Sequence, residues 1–417
     1  MVEGTPTEAL PVPDRHPRGR GLVRALGIPS FRTYIGGQLA STIAVWTQRI
    51  AQDWMVLELT GNVAAVGALV LFQFGPMLLF GMWGGVVVDR HATRRILFLT
   101  QSGALLVSVA LAVLALSGHL STASIFVAVT VVGLLSPLDQ PARQIYVSEL
   151  VEPGDLPNAI SLSSTTFQVG TMAGPALGGL LLPLGPQWAF LASAGLSVIA
   201  LLALLAIPRS SLLPRERAPR AKGQIAEALR YCRRKPAIFW TLLLLLFVSL
   251  VGLNWPVLLT GMADRVFGSG STGYGFYTSM VGAGALLGAL LSLRRRSVSL
   301  RAVYLATAGF MTFKLLAAFA PEPVSFVTLL ALSAAGSILM WTAANTLLQF
   351  SSNRSIRGRV MSLYLLIAVG GQAIGGLLLG WIVEHAGPRA GLAVSAGIPL
   401  LACLGIGGFL LIRARRR

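Results

Sequence analysis

Twelve apolar stretches set the terms on which this chain can fold. They run roughly 31–57, 63–88, 96–117, 122–147, 158–183, 186–207, 237–263, 272–293, 301–320, 323–349, 358–383 and 388–412. Each is long enough to cross about 30 Å of hydrocarbon. Lipid offers no water to stray backbone N–H and C=O groups, so stretches like these must be helices. Charged residues make up only 12% of the chain, against about 25% in soluble domains. The expected fold is an all-α membrane protein with 12 transmembrane helices.

The net charge of +18 is a topology signal. All but four of the 33 Lys and Arg fall in alternate connections and the tails; the exceptions are Arg49, Arg265, Lys314 and Arg389. Such an imbalance predicts a multi-pass inner-membrane protein with both termini cytoplasmic. Its basic surface attracts anionic membrane lipid, and no nucleic-acid footprint is expected. Met1 to Arg24 is Pro- and Arg-rich without an apolar core, which reads as a tail and not a cleaved signal peptide. Cys232 lies in a basic loop and Cys403 in the last span, so no disulfide is expected.

The chain divides into a tail at 1–30, a six-span bundle at 31–207, a linker at 208–236, a second six-span bundle at 237–412 and a basic tail at 413–417. Within the linker, Gln224 to Arg234 predicts a short amphipathic helix on the inner membrane surface. Glycines repeat between the halves: Gly84 with Gly288, Gly133 with Gly336, and Gly178-Gly179-Leu180-Leu181-Leu182 with Gly375-Gly376-Leu377-Leu378-Leu379. Near-constant offsets indicate two pseudo-symmetric six-helix bundles from one duplicated plan. In that register Asp139 corresponds to Thr342.

Span five carries Gly170, Gly174 and Gly178 at every fourth position, with Gly179 adjacent and Pro175 inside. The three stack on one helix face and let another backbone approach closely. The connection after span two reads Gly85-Val86-Val87-Val88-Asp89-Arg90-His91-Ala92-Thr93-Arg94-Arg95. Its acid suits a helix N-terminus and its arginines suit loop carboxylates such as Glu149 and Glu152. In the second half the matching stretch, Gly288 to Arg296, has Leu293 in place of Asp89.

Two acid–base pairs sit at i, i+4 inside spans. Arg49 and Asp53 share a face of span one, and Asp139 and Arg143 share a face of span four between Pro137 and Pro141. A charge facing lipid costs at least about 2.5 kcal/mol, so both pairs should face the bundle interior. Either acid can carry a proton, with its arginine setting the pKa; either pair can equally be a self-neutralising staple. Lys314 is a counter-charge for an anionic substrate or a lysine that snorkels outward. Gln73, Gln168, Asn254, Trp255, Trp341, Asn345 and Gln372 are candidates for lining a cavity, with helix packing as the alternative role.

The span-five pattern Gly-x3-Gly-Pro-x2-Gly-Gly resembles the fifth-helix signature of major facilitator superfamily antiporters. The loop after span two resembles that superfamily's latch of the outward-facing state, with Gly85, Asp89, Arg90 and Arg94 in the matching places. Gln-Arg-x-Ala-Gln-Asp-Trp in span one and Asp-x-Pro-Ala-Arg-Gln in span four resemble the drug:proton antiporter branch that contains the enterobactin and macrolide exporters. The resemblance implies two bundles that rock about a central site, a small-molecule substrate exported in exchange for protons, multidrug-resistance-type efflux, and a monomer.

Other classes lack their chemistry. No P-loop exists and none of the three lysines follows a glycine, which excludes a P-loop ATPase. His16, His91, His119 and His385 lie outside the spans or at their ends, so no metal or other cofactor is expected. There is no nucleophile elbow, and the longest outer connection is about 264–272, too short for a lumenal enzyme domain. The nearer alternative to an exporter is a facilitator or proton symporter importing a nutrient; a receptor or membrane enzyme is more distant.

Overall fold

Proline and small polar caps mark where the helices begin. Pro29 and Pro186 open their helices where no N–H partner is needed. The side chains of Asn62, Ser121 and Ser299 accept from backbone N–H groups of the first turn, at 2.7, 3.2 and 3.2 Å. The computed structural model describes residues 24–208, 210, 212, 225–292, 299–353 and 356–415. The sequence expectations for most of the N-terminal tail, the last two residues of the C-terminal tail, much of the linker and the Leu293 to Arg296 loop fall outside the described residues.

In the first half α1 is Pro29–Thr60, α2 Val63–Arg90, α3 Thr93–Leu116, α4 Thr122–Leu150, α5 Leu156–Leu181 and α6 Pro186–Ala206. The linker holds α7, Ile225–Arg234, where the sequence placed an amphipathic helix. The second half comprises α8 Pro236–Phe247, α9 Trp255–Gly261, α10 Gly270–Ser292, α11 Leu300–Ala318, α12 Pro323–Ser351, α13 Arg357–Ala386 and α14 Pro388–Arg415. Among the described residues eleven helical segments are long and apolar enough to cross a membrane, α8 and α9 forming one of them. The remaining span, α1, is 32 residues long but rich in polar groups. Its Gln38, Gln48, Gln52 and Asp53 are all buried, so their place is inside the bundle and not against lipid.

Span seven departs from the expected continuous helix over 237–263. After α8 comes a π-helical stretch, Val248–Gly252, then a break at Leu253 and Asn254 before α9. Pro256 has no N–H to offer the carbonyl four residues back, at Gly252. The Nζ of Lys314 on α11 donates to that carbonyl instead, at 2.6 Å. Lys314 is completely buried. The outward-snorkelling reading of this lysine is therefore wrong: an orphaned carbonyl in a dry interior draws the amine inward.

Both halves use the same seams. A Cβ on Gly178 of α5 would press on the Thr47 carbonyl of α1, and one on Gly375 of α13 would press on the Leu250 carbonyl in span seven. Gly179 faces Gly275 of α10 in the other half, just as Gly376 faces Gly67 of α2. The register in spans four and ten needs correction. Gly84 meets the Pro137 carbonyl and Gly288 meets the Ala335 carbonyl, so Pro137 and Ala335 are equivalent. Gly133 then corresponds to Ala331 and not to Gly336, and Asp139 corresponds to Ser337 and not to Thr342. Gly336 instead packs on Phe310 of α11.

The start of α1 and the end of α14 lie at one end of the bundle, rich in arginine and called here the basic end. At the opposite end a single apolar core joins the halves, bringing Ile50 and Leu69 together with Leu259, Tyr274 and Leu379. Towards the basic end the core divides: one part, around Phe31, Tyr146 and Leu150, belongs to the first half. The other, around Ile238, Phe310 and Val360, belongs to the second. The interface between the halves is thus welded at one end, with a cavity beneath the weld.

Candidate functional site

The central cavity has a volume of about 240 Å³ and draws its walls from both halves. Gln73 of α2, Gln168 of α5, Asn254 and Trp255 of span seven, Trp341 of α12 and Gln372 of α13 all line it, with Arg49 and Asp53 of α1. Six of the eight cavity candidates thus meet around one space. Lys314 lies behind the wall, 4.2 Å from the centre of the Trp255 ring. Asn345 sits a turn beyond Trp341, where its side-chain oxygen accepts from Gln349 at 2.6 Å. Neither is among the lining residues.

A second cavity of about 210 Å³ extends within the first half towards the basic end. It includes Gln38, Ser41, Thr100, Gln101, Asp139, Gln140 and Arg143. Trp46, Arg49 and Phe167 line both spaces, so α1 forms the sill between them.

The two acid–base pairs differ in what they contact. Arg143 donates from Nε to Asp139 at 2.5 Å and from its other end to Ser41 at 2.8 Å. Asp139 also accepts from Thr100 at 2.7 Å and from Gln101 at 3.3 Å. Three helices, α1, α3 and α4, are tied together by this network inside one half. Arg49 and Asp53, in contrast, form no ion pair within 4 Å among the described residues. Asp53 accepts from the Tyr274 hydroxyl of α10 at 2.8 Å, and the Trp54 ring stacks on the Tyr274 ring. The Arg49 guanidinium lies over the rings of Trp46 and Phe74, at 5.1 and 5.6 Å. Two aromatic faces hold it by cation–π attraction. The expected i, i+4 pairing in span one is not made: the Tyr274 hydroxyl reaches the acid from the other half, and the guanidinium lies on the two rings instead.

Sequence reasoning missed Tyr274. Its signal lay in the small residues on each side, Gly273 and Gly275. Gly275 lets α10 approach Gly179 of α5 with backbone against backbone, and that approach carries the hydroxyl to Asp53. Ser41, Thr100 and Gln101 were missed as well; single hydroxyls and amides in apolar spans carry no pattern of their own.

Other polar ties close the opposite end. Arg265 donates to Glu384 of α13 at 2.8 Å and to the Gly61 carbonyl at 3.1 Å. Glu384 also accepts from the Val63 N–H of α2, at 2.8 Å. The glycines of span five do what their spacing required. A Cβ on Gly170 would strike Thr42, and one on Gly174 would strike Trp46 and the Ile43 carbonyl. Both residues, with Pro175, are buried, and the Gly174 carbonyl accepts from Thr47 at 3.0 Å.

At the candidate latch the tight approach is made by Gly84 on Pro137; Gly85 has open space where its Cβ would go. Thr93, not an arginine, holds Glu149, at 2.7 Å. Arg94 caps the end of α6, donating to the Leu205 carbonyl at 3.0 Å. Asp89 and Arg90 are exposed at the end of α2.

One family model matches residues 24–415, both bundles included. The chain belongs to the transmembrane secretion effector family. This family member is similar to the enterobactin exporter EntS of Salmonella typhimurium, with 29% identity over 396 residues, covering 90% of this chain and 92% of that one. EntS of Escherichia coli is 26% identical over 378 residues and covers 88% of each chain. Among solved structures, a peptide transporter POT bound to sulfate superposes with a TM-score of 0.75 at 14% identity, covering 93% of this chain and 94% of that one. The nucleoside transporter NupG gives 0.71 at 14%, covering 91% and 99%. At such identities these structures speak for the major facilitator fold, with its two six-helix bundles.

Proposed function

We propose that the protein exports a small, amphipathic compound across the inner membrane by alternating access, in exchange for protons. In this reading both termini and the basic end face the cytoplasm, and the protein works as a monomer. The observation that carries it is the Tyr274–Asp53 hydrogen bond, a buried acid of one half held by the other half at the closed end of the cavity. Similarity to exporters over nine-tenths of the chain supports the direction. The Gly-Pro seam of span five supports it by resemblance to antiporters.

The physical logic of coupling follows from that bond. While Asp53 is charged, it binds the Tyr274 hydroxyl strongly and the outer end stays shut. An empty, deprotonated carrier therefore does not open outward, which prevents slip. Substrate binding energy supplies the drive to part the halves. Once outside, Asp53 is hydrated and closing over it as a carboxylate would bury a charge; protonation removes that cost and lets the carrier close and return without substrate. Coupling in this scheme is the difference in substrate affinity between the two protonation states. Asp139, held with Arg143 within one half, serves as the staple that keeps α1, α3 and α4 together during the swing.

The test is transport in proteoliposomes under an imposed pH gradient, with lipophilic cations, macrolides and catecholate siderophores as the panel. Uphill movement of one of them driven by the gradient supports the exchange. Equal movement with and without a gradient makes the protein a facilitator, and uptake running with the proton makes it a symporter.

A further inference from the structure

Lys314 is an expensive residue to keep. It is completely buried, and no carboxylate among the described residues lies within ion-pair distance of it. Its amine has two contacts: the Gly252 carbonyl at 2.6 Å and the face of Trp255 at 4.2 Å. Close by, Asn254 is nearly fully buried and its side-chain oxygen has no hydrogen-bond partner. A continuous helix with alanine at 256 would need neither the buried cation nor the break. Two poorly compensated polar groups around one proline mark a place where stability has given way to something else.

What the break delivers is the cavity wall. Leu253 and Asn254 of the break, and Trp255 and Pro256 that open α9, all line the central cavity. The freed carbonyl of Gly252 points away from them, to the amine on α11. Met311, one turn before Lys314, would meet any Cβ added at Gly252, so α11 buttresses the same point twice.

We propose that Lys314 is a positioning residue for substrate: its amine replaces the N–H that Pro256 lacks, pins span seven in its broken form, and so holds Asn254 and Trp255 in the cavity wall. The amine acts from behind the wall, which separates it from the counter-charge role. Its substrate side rests on the export reading above; its structural side does not.

The experiment uses the full chain in proteoliposomes as wild type, K314M, K314R, P256A and K314M/P256A. Hydrogen exchange is followed by mass spectrometry over residues 248–262. Loss of the pin in K314M should raise exchange in this segment by about tenfold or more, the scale of one orphaned buried carbonyl. K314R, which keeps a donor, should stay closer to wild type. In the double variant the new N–H of residue 256 can reach Gly252, so exchange should return to the wild-type level. Should K314M fail to fold, recovery of folded protein in the double variant reads the same replacement. Unchanged exchange in K314M, or no rescue by P256A, overturns the pin.

Transport of the panel compounds reads the second half. The double variant, stable but with span seven made continuous, should show a KM raised about tenfold or more with Vmax little changed. A wild-type KM in that variant overturns the positioning role while leaving the pin. If the wild type itself moves no panel compound, the export reading falls and takes the substrate half of the proposal with it, and the exchange data still decide the pin.

Discussion

Arg49–Asp53 and Asp139–Arg143 have the same spacing and the same residue types in opposite order, yet among the described residues only the second is an ion pair. Around Asp139 every partner comes from its own half: Arg143, Thr100 and Gln101 converge on the carboxylate. Around Asp53 the decisive partner, Tyr274, comes from the other half, while Arg49 turns to Trp46 and Phe74. Spacing of i, i+4 puts two groups on one face; what else reaches that face decides whether they meet. The difference matters for motion. A network inside one bundle travels with it unchanged, whereas a bond between bundles must break each time the cavity opens at that end.

The largest effect should come from cutting the internal network. Asp139→Ala takes the acceptor from Arg143, Thr100 and Gln101 together, and each hydrogen bond to a charged group is worth about 1.5–3 kcal/mol. A large fall in the thermal unfolding midpoint in detergent is expected, with Asp53→Asn falling much less. Equal losses would erase the distinction between staple and switch. Next in size is Tyr274→Phe, which removes a hydrogen bond to a charged group worth about 1.5–3 kcal/mol. Here the expected result is a shift toward the state open at the far end, read as faster labelling of a cysteine placed at Ile50. No change in labelling would mean the bond does not hold the closure.

A smaller effect is expected from Arg265→Gln, at the partly exposed rim. Its tie to Glu384 is of the kind worth about 1 kcal/mol or less. The same cysteine should label only slightly faster, and high salt should mimic the substitution. A rim effect larger than that of Tyr274→Phe would move the centre of the closure away from Asp53.

Much of this architecture was legible in the residues. Glycines four apart in span five demanded a close neighbour, and α1 is that neighbour. The apolar spans and the run from Gln224 to Arg234 gave helices close to where they lie. The matching of Gly178 with Gly375 was right because both seat a helix on its first-helix counterpart, and Gly133 with Gly336 was wrong because the two glycines face different helices. Local pattern cannot say which neighbour comes near, and the misreadings share that cause. Asp53 took a hydroxyl 221 residues away in the chain. Lys314 turned inward toward a carbonyl that a proline on another helix had released.

The central claim is that Asp53, bonded across the halves, is the acid through which proton movement is tied to export. The most direct test is substrate-driven proton counterflow in proteoliposomes, measured with an entrapped pH dye for wild type, Asp53→Asn and Asp139→Asn at equal amounts of folded protein. The account predicts that Asp53→Asn abolishes counterflow, and that Asp139→Asn keeps it in proportion to the protein that remains folded. Counterflow that survives in Asp53→Asn and vanishes in Asp139→Asn would contradict it, and would make the internal network the carrier.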